Sequence, residues 1–511
     1  MGVSEQLKQI SKDTFFYGLG SAFHRLIAFF LFPIYTRLLT QADFGSQDLI
    51  ATAIMITTQF LVIGLDTGMA RNYYNAVTDA ERTKILSTWF WFELFLSVPV
   101  CFLLIVLAQP ICSIVFKDGA LSPFFRLGMA TLPFNLVAGV TMMALRITFR
   151  SKKYCLVSAS SILLQALSSV YFIVVMKLGL MGVFLSGMLA GAFQAILGLC
   201  FTYHQFRLVF SGIWLRSMLA FGIPMLPAGL SLWILNYSNR YFIVRLGTLS
   251  DIGLISVALR IASILAFMIT AFQTAWGPFA YSLIKDERLA KETYSRVLTY
   301  FLLISLTGAV GLTVFSREMI LLLATSAYES SAPLVPWLCY GIVAWGGFYI
   351  VSMGYGIAEK NYHTTILTIL AATANTGLNL LLIPAWGIQG AAISTMVGNL
   401  VALFYGYFAG QHYFRVNYEG RKIGLLTGVA TLTIMVGGVL DHSHAMWRPE
   451  LIAYKLLLYG AFLASLFGLR IIGSGETEWL RRYLKNHFAW GRIKDMDYSD
   501  IAQDRYPHTN G

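Results

Sequence analysis

Charge is scarce in this 511-residue chain: 12% of its residues are Asp, Glu, Lys or Arg, and 57% are hydrophobic. An ordinary soluble domain carries about 25% charged residues, so the shortage excludes that class. Acids are scarcer than bases, 25 against 37, which leaves a net charge of +12. Only five cysteines occur (101, 112, 155, 200 and 339), all in or at the ends of apolar runs and none in a CxxC, which argues against redox or metal chemistry. They read as packing residues. No P-loop is present, which excludes an ATP-driven pump within this chain. Strand-like alternation is missing, which argues against a barrel. No cleavable signal peptide is expected, because the first apolar run is too long and lacks a small-residue cleavage site. Gln6 stands where myristoylation requires Ser or Thr.

What the chain does have is long apolar runs. Mean hydropathy is +0.67, and runs near the roughly 20 residues that a bilayer-spanning helix needs recur along the chain. Fourteen are predicted: 14–38, 49–69, 85–108, 123–147, 155–177, 182–203, 217–245, 254–276, 297–315, 333–358, 364–384, 389–409, 423–440 and 450–472. The fold class predicted is therefore an all-α integral membrane protein.

A duplication organises these runs. Arg37, Leu38, Thr40, Asp43 and Gly45 recur 208 positions later as Arg245, Leu246, Thr248, Asp251 and Gly253. The same offset maps Lys152 and Tyr154 onto Lys360 and Tyr362, and Gly179, Gly182 and Ser186 onto Gly387, Gly390 and Ser394. Internal symmetry of this kind is common in transporters. It predicts two parallel six-helix repeats, 14–203 and 217–409, with two extra C-terminal helices at 423–472. A short N-terminus, 1–13, and a tail, 473–511, flank them.

Lys and Arg set the orientation. Twenty-four fall on the side of the N-terminus, among them Arg71, Lys152, Arg216, Lys285, Lys360 and Arg421, while Lys117, Lys177, Arg317 and Arg448 fall opposite. The positive-inside rule then puts both termini in the cytoplasm, and this bias accounts for the net charge without nucleic acid as a partner. A charged, amphipathic inner loop is expected at 277–296 and an outer loop at 316–332. In the tail, Trp479, Leu480, Tyr483, Leu484 and Phe488 recur at helical spacing beside Arg481, Arg482 and Lys485. That pattern suits a helix on an anionic leaflet.

Some charges fall inside the predicted spans. Arg37, Arg126, Arg146, Arg245, Lys455 and Arg470 lie near helix ends and can snorkel. Arg25, Arg240 and Arg260 lie deeper, where an arginine costs roughly 2.5–3.5 kcal/mol on insertion scales. Arg260 shares a helix face with Gly253, Ser256, Ser263, Ala271 and Thr274, with Ile255, Leu265, Ile269 and Phe272 behind it, facing lipid. Arg25 has a similar small and polar face. The positions 208 away are Trp233, Phe32 and Thr52, so the duplicated scaffold does not itself demand these arginines. They are candidate ligands for an anionic substrate, since a guanidinium fork suits pyrophosphate. The alternative is a structural role, pairing with Asp66, Glu93 or helix-end carbonyls. Those two acids are also candidates to bind a coupling H⁺ or Na⁺. Pro33, Pro224 and Pro227 are candidate hinges. Gly187 and Gly191 form a GxxxG read as helix packing. Asp495 with Asp497, and Asp441 with His442 and His444, are read as solvated segments and not as metal sites.

At this point the chain resembles the polysaccharide flippases of the multidrug/oligosaccharidyl-lipid/polysaccharide exporter superfamily. The resemblance is carried by Phe32, Pro33, Arg37, Thr40, Asp43 and Gly45; by Gly64, Asp66, Gly68 and Arg71; by Gly222, Pro224 and Pro227; and by Gly387 and Gly390. It covers about residues 10–410. The resemblance implies a V-shaped pair of bundles, alternating access, and an undecaprenyl-pyrophosphate-linked oligosaccharide turned between leaflets of a bacterial inner membrane. Arg25 stands where a cavity arginine of such a first helix is expected, with Arg260 a similar candidate and Arg240 a weaker one. Expected partners are the lipid-linked glycan, membrane lipids, and a polysaccharide polymerase with other assembly proteins; no enzymatic activity and no cofactor beyond the coupling ion is implied. A peptidoglycan-precursor flippase and a cation-coupled drug antiporter are the rival transport readings. An antiporter should line its cavity with acids, and here bases exceed acids inside the membrane.

Overall fold

A computed structural model describes residue 27 and residues 30–443 and 449–469. Arg25, the predicted 479–488 helix and the Asp495–Asp497 pair lie outside the described residues. Every regular element among those described is helical, and twelve helices are long and apolar enough to cross a bilayer. After a first helix α1 at 30–38, the chain runs through α2 (Gln41–Asn75), α3 (Asp79–Val106), α4 (Gly119–Ile147), α5 (Ser151–Val175), α6 (Leu180–Gln205) and α7 (Gly212–Tyr237, continuing as Asn239–Leu246). Next come α8 (Leu249–Ser282), α9 (Glu287–Val314) and α10 (Ser326–Ile357). The helix Tyr362–Tyr413 has 52 residues, and a straight helix of that length would run about 78 Å, far beyond a bilayer. It breaks at Gly387 (φ 56°, ψ −134°), giving α11 (362–386) and α12 (388–413). Helices α13 (Gly420–Ser443) and α14 (Pro449–Gly468) close the described chain.

The repeated motif has a mechanical meaning. Thr40 caps α2: its side chain accepts from the Asp43 amide, and Asp43 accepts from the Thr40 amide. Thr248 and Asp251 do the same for α8. Each pair is a capping box, which satisfies two otherwise orphaned donors. The glycine two residues beyond the Asp serves packing. A Cβ on Gly45 would drive into the Leu249 carbonyl, and one on Gly253 into the Gln41 carbonyl. Gln41 and Leu249 are themselves 208 apart, as are the glycines. Each helix therefore offers the other the same two positions, the self-complementary contact that two-fold symmetry produces. Gly179 (φ 55°, ψ −132°), joining α5 to α6, repeats the backbone of Gly387. Only glycine adopts that region without strain.

A second close approach lies farther along α2. The helix breaks at Ile63–Gly64, where both φ values are positive, and α7 breaks into a 3₁₀ turn at Ile223–Met225. The two breaks touch: a Cβ on Gly64 would meet the Gly222 backbone, and one on Gly222 the Ile63 carbonyl.

Several expectations are corrected. Helices outrun the apolar windows because their first turns are polar: α2 begins at Gln41 and α3 at Asp79. The 277–296 segment is no amphipathic loop. It is the end of α8, a short turn and the start of α9, with Lys291–Glu287 and Arg288–Glu292 paired one turn apart. The 316–332 loop folds into a helix, Ser316–Leu323, and a 3₁₀ segment. The bulky face of α8 does not meet lipid. Ile255 and Leu265 are fully buried and Ile269 nearly so, because α8 packs on α9 and α10 as well as on α2. Cys200 is exposed, while Cys101, Cys112 and Cys339 are buried as expected.

Lys455 does not snorkel. Its side chain is 0% exposed and its ammonium lies 2.7 Å from Glu318 Oε1 and 2.6 Å from Asp441 Oδ1. This triad pins α14 and α13 to the segment after α9. Removing one member of a buried ionic group costs roughly 3–5 kcal/mol, whereas replacing the whole group with apolar residues is often neutral. Lys455→Ala should therefore lower the melting temperature in detergent, and the triple change Lys455→Met, Glu318→Leu, Asp441→Leu should recover most of the loss. Likewise Gly45→Ala and Gly253→Ala should each depress melting and expression. Gly428→Ala, in open space on α13, should leave both unchanged.

Candidate functional site

Three cavities follow one another along α2. The first, about 280 Å³, lies between the two halves. It is lined by Gln47, Asp48 and Ala51 of α2, Arg240 of α7, and Ser256, Arg260 and Ser263 of α8. The second, about 450 Å³, shares Gln47 and Ala51 with it and opens into the first half. The third, about 260 Å³, shares Asn135 with the second and reaches Asp66, Glu93 and Arg146. The first cavity begins at the Gly45 crossing, where Phe44 lines it, and the third ends beside the Gly64 break.

Arg240 is the better held of the two arginines in the first cavity. Its Nε donates to Asp48 Oδ2 at 2.8 Å, and its Nη1 donates to the Asn236 carbonyl and to Asn239 Oδ1, both at 2.7 Å. The side chain is 4% exposed. Ser256 Oγ donates to the same Asp48 oxygen at 2.8 Å. Asp48 and Ser256 are 208 apart, so they face each other across the approximate two-fold. The predicted acidic partners of this arginine, Asp66 and Glu93, are not its partners. Asp48 was missed because the predicted second span starts at residue 49, whereas capping by Thr40 starts the helix eight residues earlier. Its signal was legible: it follows the capping box by a little over one turn, on the strand of positions that face the crossing glycine.

Arg260 lines the same cavity, half-buried, with its guanidinium 5.9 Å from the Phe32 ring centre, and Asp48 acts on it through space. Among the described residues no carboxylate lies within ion-pair distance of it. The sequence-predicted polar face of α8 thus splits by role: Ser256, Arg260 and Ser263 line the cavity, and Gly253 serves the crossing. The structure brings together Arg240 and Arg260 and leaves Arg25 outside the described residues.

Glu93 is buried, and Trp89 Nε1 donates to its Oε1 at 2.7 Å. Asp66 is exposed at the other wall of the third cavity, where it accepts from Thr67. These acids share a pocket with each other, away from Arg240 and Arg260. Pro224 lies in the 3₁₀ break of α7 and Pro227 at the start of the helix that follows. Pro33 lies inside α1, where Thr36 donates to the Phe32 and Pro33 carbonyls. The GxxxG pair is corrected in part: Gly187 has no neighbour where its Cβ would be, whereas Gly191 packs closely on Asn135 and Phe134 of α4, and both line the second cavity.

Comparison with known proteins agrees with this architecture. Residues 34–333 match the family described as polysaccharide biosynthesis protein. A membrane protein of Methanocaldococcus jannaschii, itself uncharacterized, is 24% identical over 286 residues, 53% of this chain. The match spans about half, 54%, of that relative's length. Among solved structures, the lipid II flippase MurJ in an inward closed conformation superposes with a TM-score of 0.72 at 13% identity, over 89% of this chain and 99% of that one. An inward-facing multidrug resistance MATE transporter of the MOP superfamily gives 0.62 at 16% identity, over 76% and 94%. A MOP superfamily transporter from Pyrococcus furiosus, described by a reversed polarity of its binding pocket, gives 0.55 at 16%, over 79% and 95%. The fold is that of the MOP superfamily, and this multi-pass membrane chain belongs to the polysaccharide biosynthesis protein family.

Proposed function

We propose that the protein is a transporter and not an enzyme, and that it flips undecaprenyl-pyrophosphate-linked oligosaccharide repeat units across the cytoplasmic membrane of a bacterium for surface polysaccharide biosynthesis. The observation that carries this reading is the cavity between the halves, where Arg260 and Arg240 converge. Two guanidinium groups offer paired donors to a pyrophosphate, and Arg25, outside the described residues, is proposed as a third. The adjoining second cavity is lined by Gln47, Asn135, Ser158, Ser161, Gln165 and Gln194. Neutral amides and hydroxyls of this kind both donate and accept hydrogen bonds, which suits sugar hydroxyls. The isoprenoid tail stays in lipid.

In this reading fourteen helices form two parallel six-helix repeats, about 14–203 and 217–409, plus α13 and α14, with both termini cytoplasmic. The halves rock about the axis through the Gly45–Gly253 crossing, and bending at Pro33, Pro224 and Pro227 supplies the motion. Asp66 and Glu93 bind the coupling H⁺ or Na⁺. Membrane lipids and the polymerase that consumes the flipped unit are the partners.

A peptidoglycan lipid-precursor flippase is the second reading, favoured by the superposition on a lipid II flippase. The cationic cavity would serve either diphosphate lipid. Rescue of cells depleted of their own lipid II flippase would support this second reading, and failure to rescue, with normal surface polysaccharide, the first.

Arg260→Ala, at normal protein level, should abolish surface polysaccharide and leave lipid-linked repeat units on the inner side; unchanged surface glycan in this variant would refute the cationic-cavity mechanism. In proteoliposomes, Glu93→Gln should retain substrate binding but lose stimulation by an imposed ion gradient. Gradient response equal to wild type would remove Glu93 from the coupling role.

A further inference from the structure

Asp48 poses a puzzle under the reading just given, on which the following inference rests. A cavity that receives an anion has no evident need of a resident carboxylate. Yet Asp48 stands inside it, and one of its oxygens takes 2.8 Å bonds from both Arg240 Nε and Ser256 Oγ. Those bonds cross the boundary between the halves: Asp48 comes from α2, and its two donors come from α7 and α8. They also lie one turn from the Gly45–Gly253 crossing, so the same short stretch of α2 carries both the closest backbone contact with α8 and the ionic contact with α7.

We propose that Asp48 is a resident counter-ion that occupies the anion site and holds the α2–α8 crossing together, and that an incoming pyrophosphate takes Arg240 from it and so unlocks the halves. Pyrophosphate carries more charge and more acceptor oxygens than one carboxylate, so it competes well for a guanidinium. Once it sits between Arg240 and Arg260, the Asp48 carboxylate faces a like charge across the cavity, and repulsion replaces attraction at the boundary. The ligand binds the two arrangements of the boundary with different affinity, which is the requirement for driving a conformational change. When the anion leaves, Asp48 regains Arg240 and the crossing re-forms. A monovalent anion has too little charge to displace the carboxylate, so the latch also selects its key.

The test uses the purified full chain with inorganic pyrophosphate as probe. Calorimetry gives affinity, and hydrogen exchange of peptides spanning 41–52 and 249–260 reports the crossing. Wild type should bind pyrophosphate and exchange faster in both segments when it does. Asp48→Asn should bind it at least tenfold tighter and exchange fast without it. Ser256→Ala, a milder change that removes one of the two donors, should shift both readouts the same way by a smaller factor, and it stands in if Asp48→Asn fails to fold. Wild-type binding with no gain in either variant and no change in exchange would overturn the latch while leaving the cationic cavity intact. Absence of pyrophosphate binding in wild type and both variants would overturn the latch together with the anionic substrate. Equal acceleration by sodium chloride at matched ionic strength would reduce the effect to screening and overturn it as well.

Discussion

The contact on which the structure depends is the crossing of two bare backbones. Gly45 and Gly253 let α2 and α8 approach until the carbonyls of Leu249 and Gln41 fill the space where side chains would be. In lipid no hydrophobic force draws one apolar helix to another, so close packing of small residues supplies the attraction. The capping boxes at Thr40 and Thr248 fix where each helix begins, and hence which residue meets the partner glycine. With that register set, Asp48 must face Ser256 and Arg240 must lie within reach of Asp48. The cavity follows as the gap between this crossing and the second approach at Gly64 and Gly222.

The residues show where the sequence was readable and where it was not. The nine-residue repeat was visible as a repeat, but its division into a cap and a crossing glycine needed the partner helix. Hydropathy located the spans and misplaced their starts, because capping boxes make first turns polar; Asp48 was lost in that error by a single residue. Arg240 and Arg260 stood out correctly, since arginine deep in a span needs a reason, but which acid answers Arg240 is a fact of packing between halves. Periodicity alone points the bulky side of α8 to lipid. α8 instead buries that side against α9 and α10 while Ser263, Ala271 and Thr274 of its other face stay exposed, and one sequence pattern fits either surrounding. Lys455 near a helix end looked like a snorkelling residue until the segment after α9 supplied two carboxylates.

The approximate two-fold of the backbone is not carried into the chemistry. Thr52 stands where Arg260 does, and Phe32 where Arg240 does. Phe32 even lies against the Arg260 guanidinium. The first half contributes amides, hydroxyls and glycines to the second cavity, and the second half contributes the cations of the first. Symmetric scaffolding with asymmetric lining keeps two helices in register while giving the space between them a charged end and a neutral end.

The Lys455 triad bears on how this chain could have come to its present length. The position matching Glu318 in the first half is Pro110, and Lys455 and Asp441 lie beyond both repeats, so the triad was not inherited by duplication. Helices that join a finished bundle through apolar contact alone can be lost again at modest cost. Once Glu318 lies buried with its paired cation on α14 and a second carboxylate on α13, loss of that hairpin strands a charge in the protein interior. Natural selection can then no longer remove the appendage in one step. A single buried ammonium thus makes the pair of helices costly to lose.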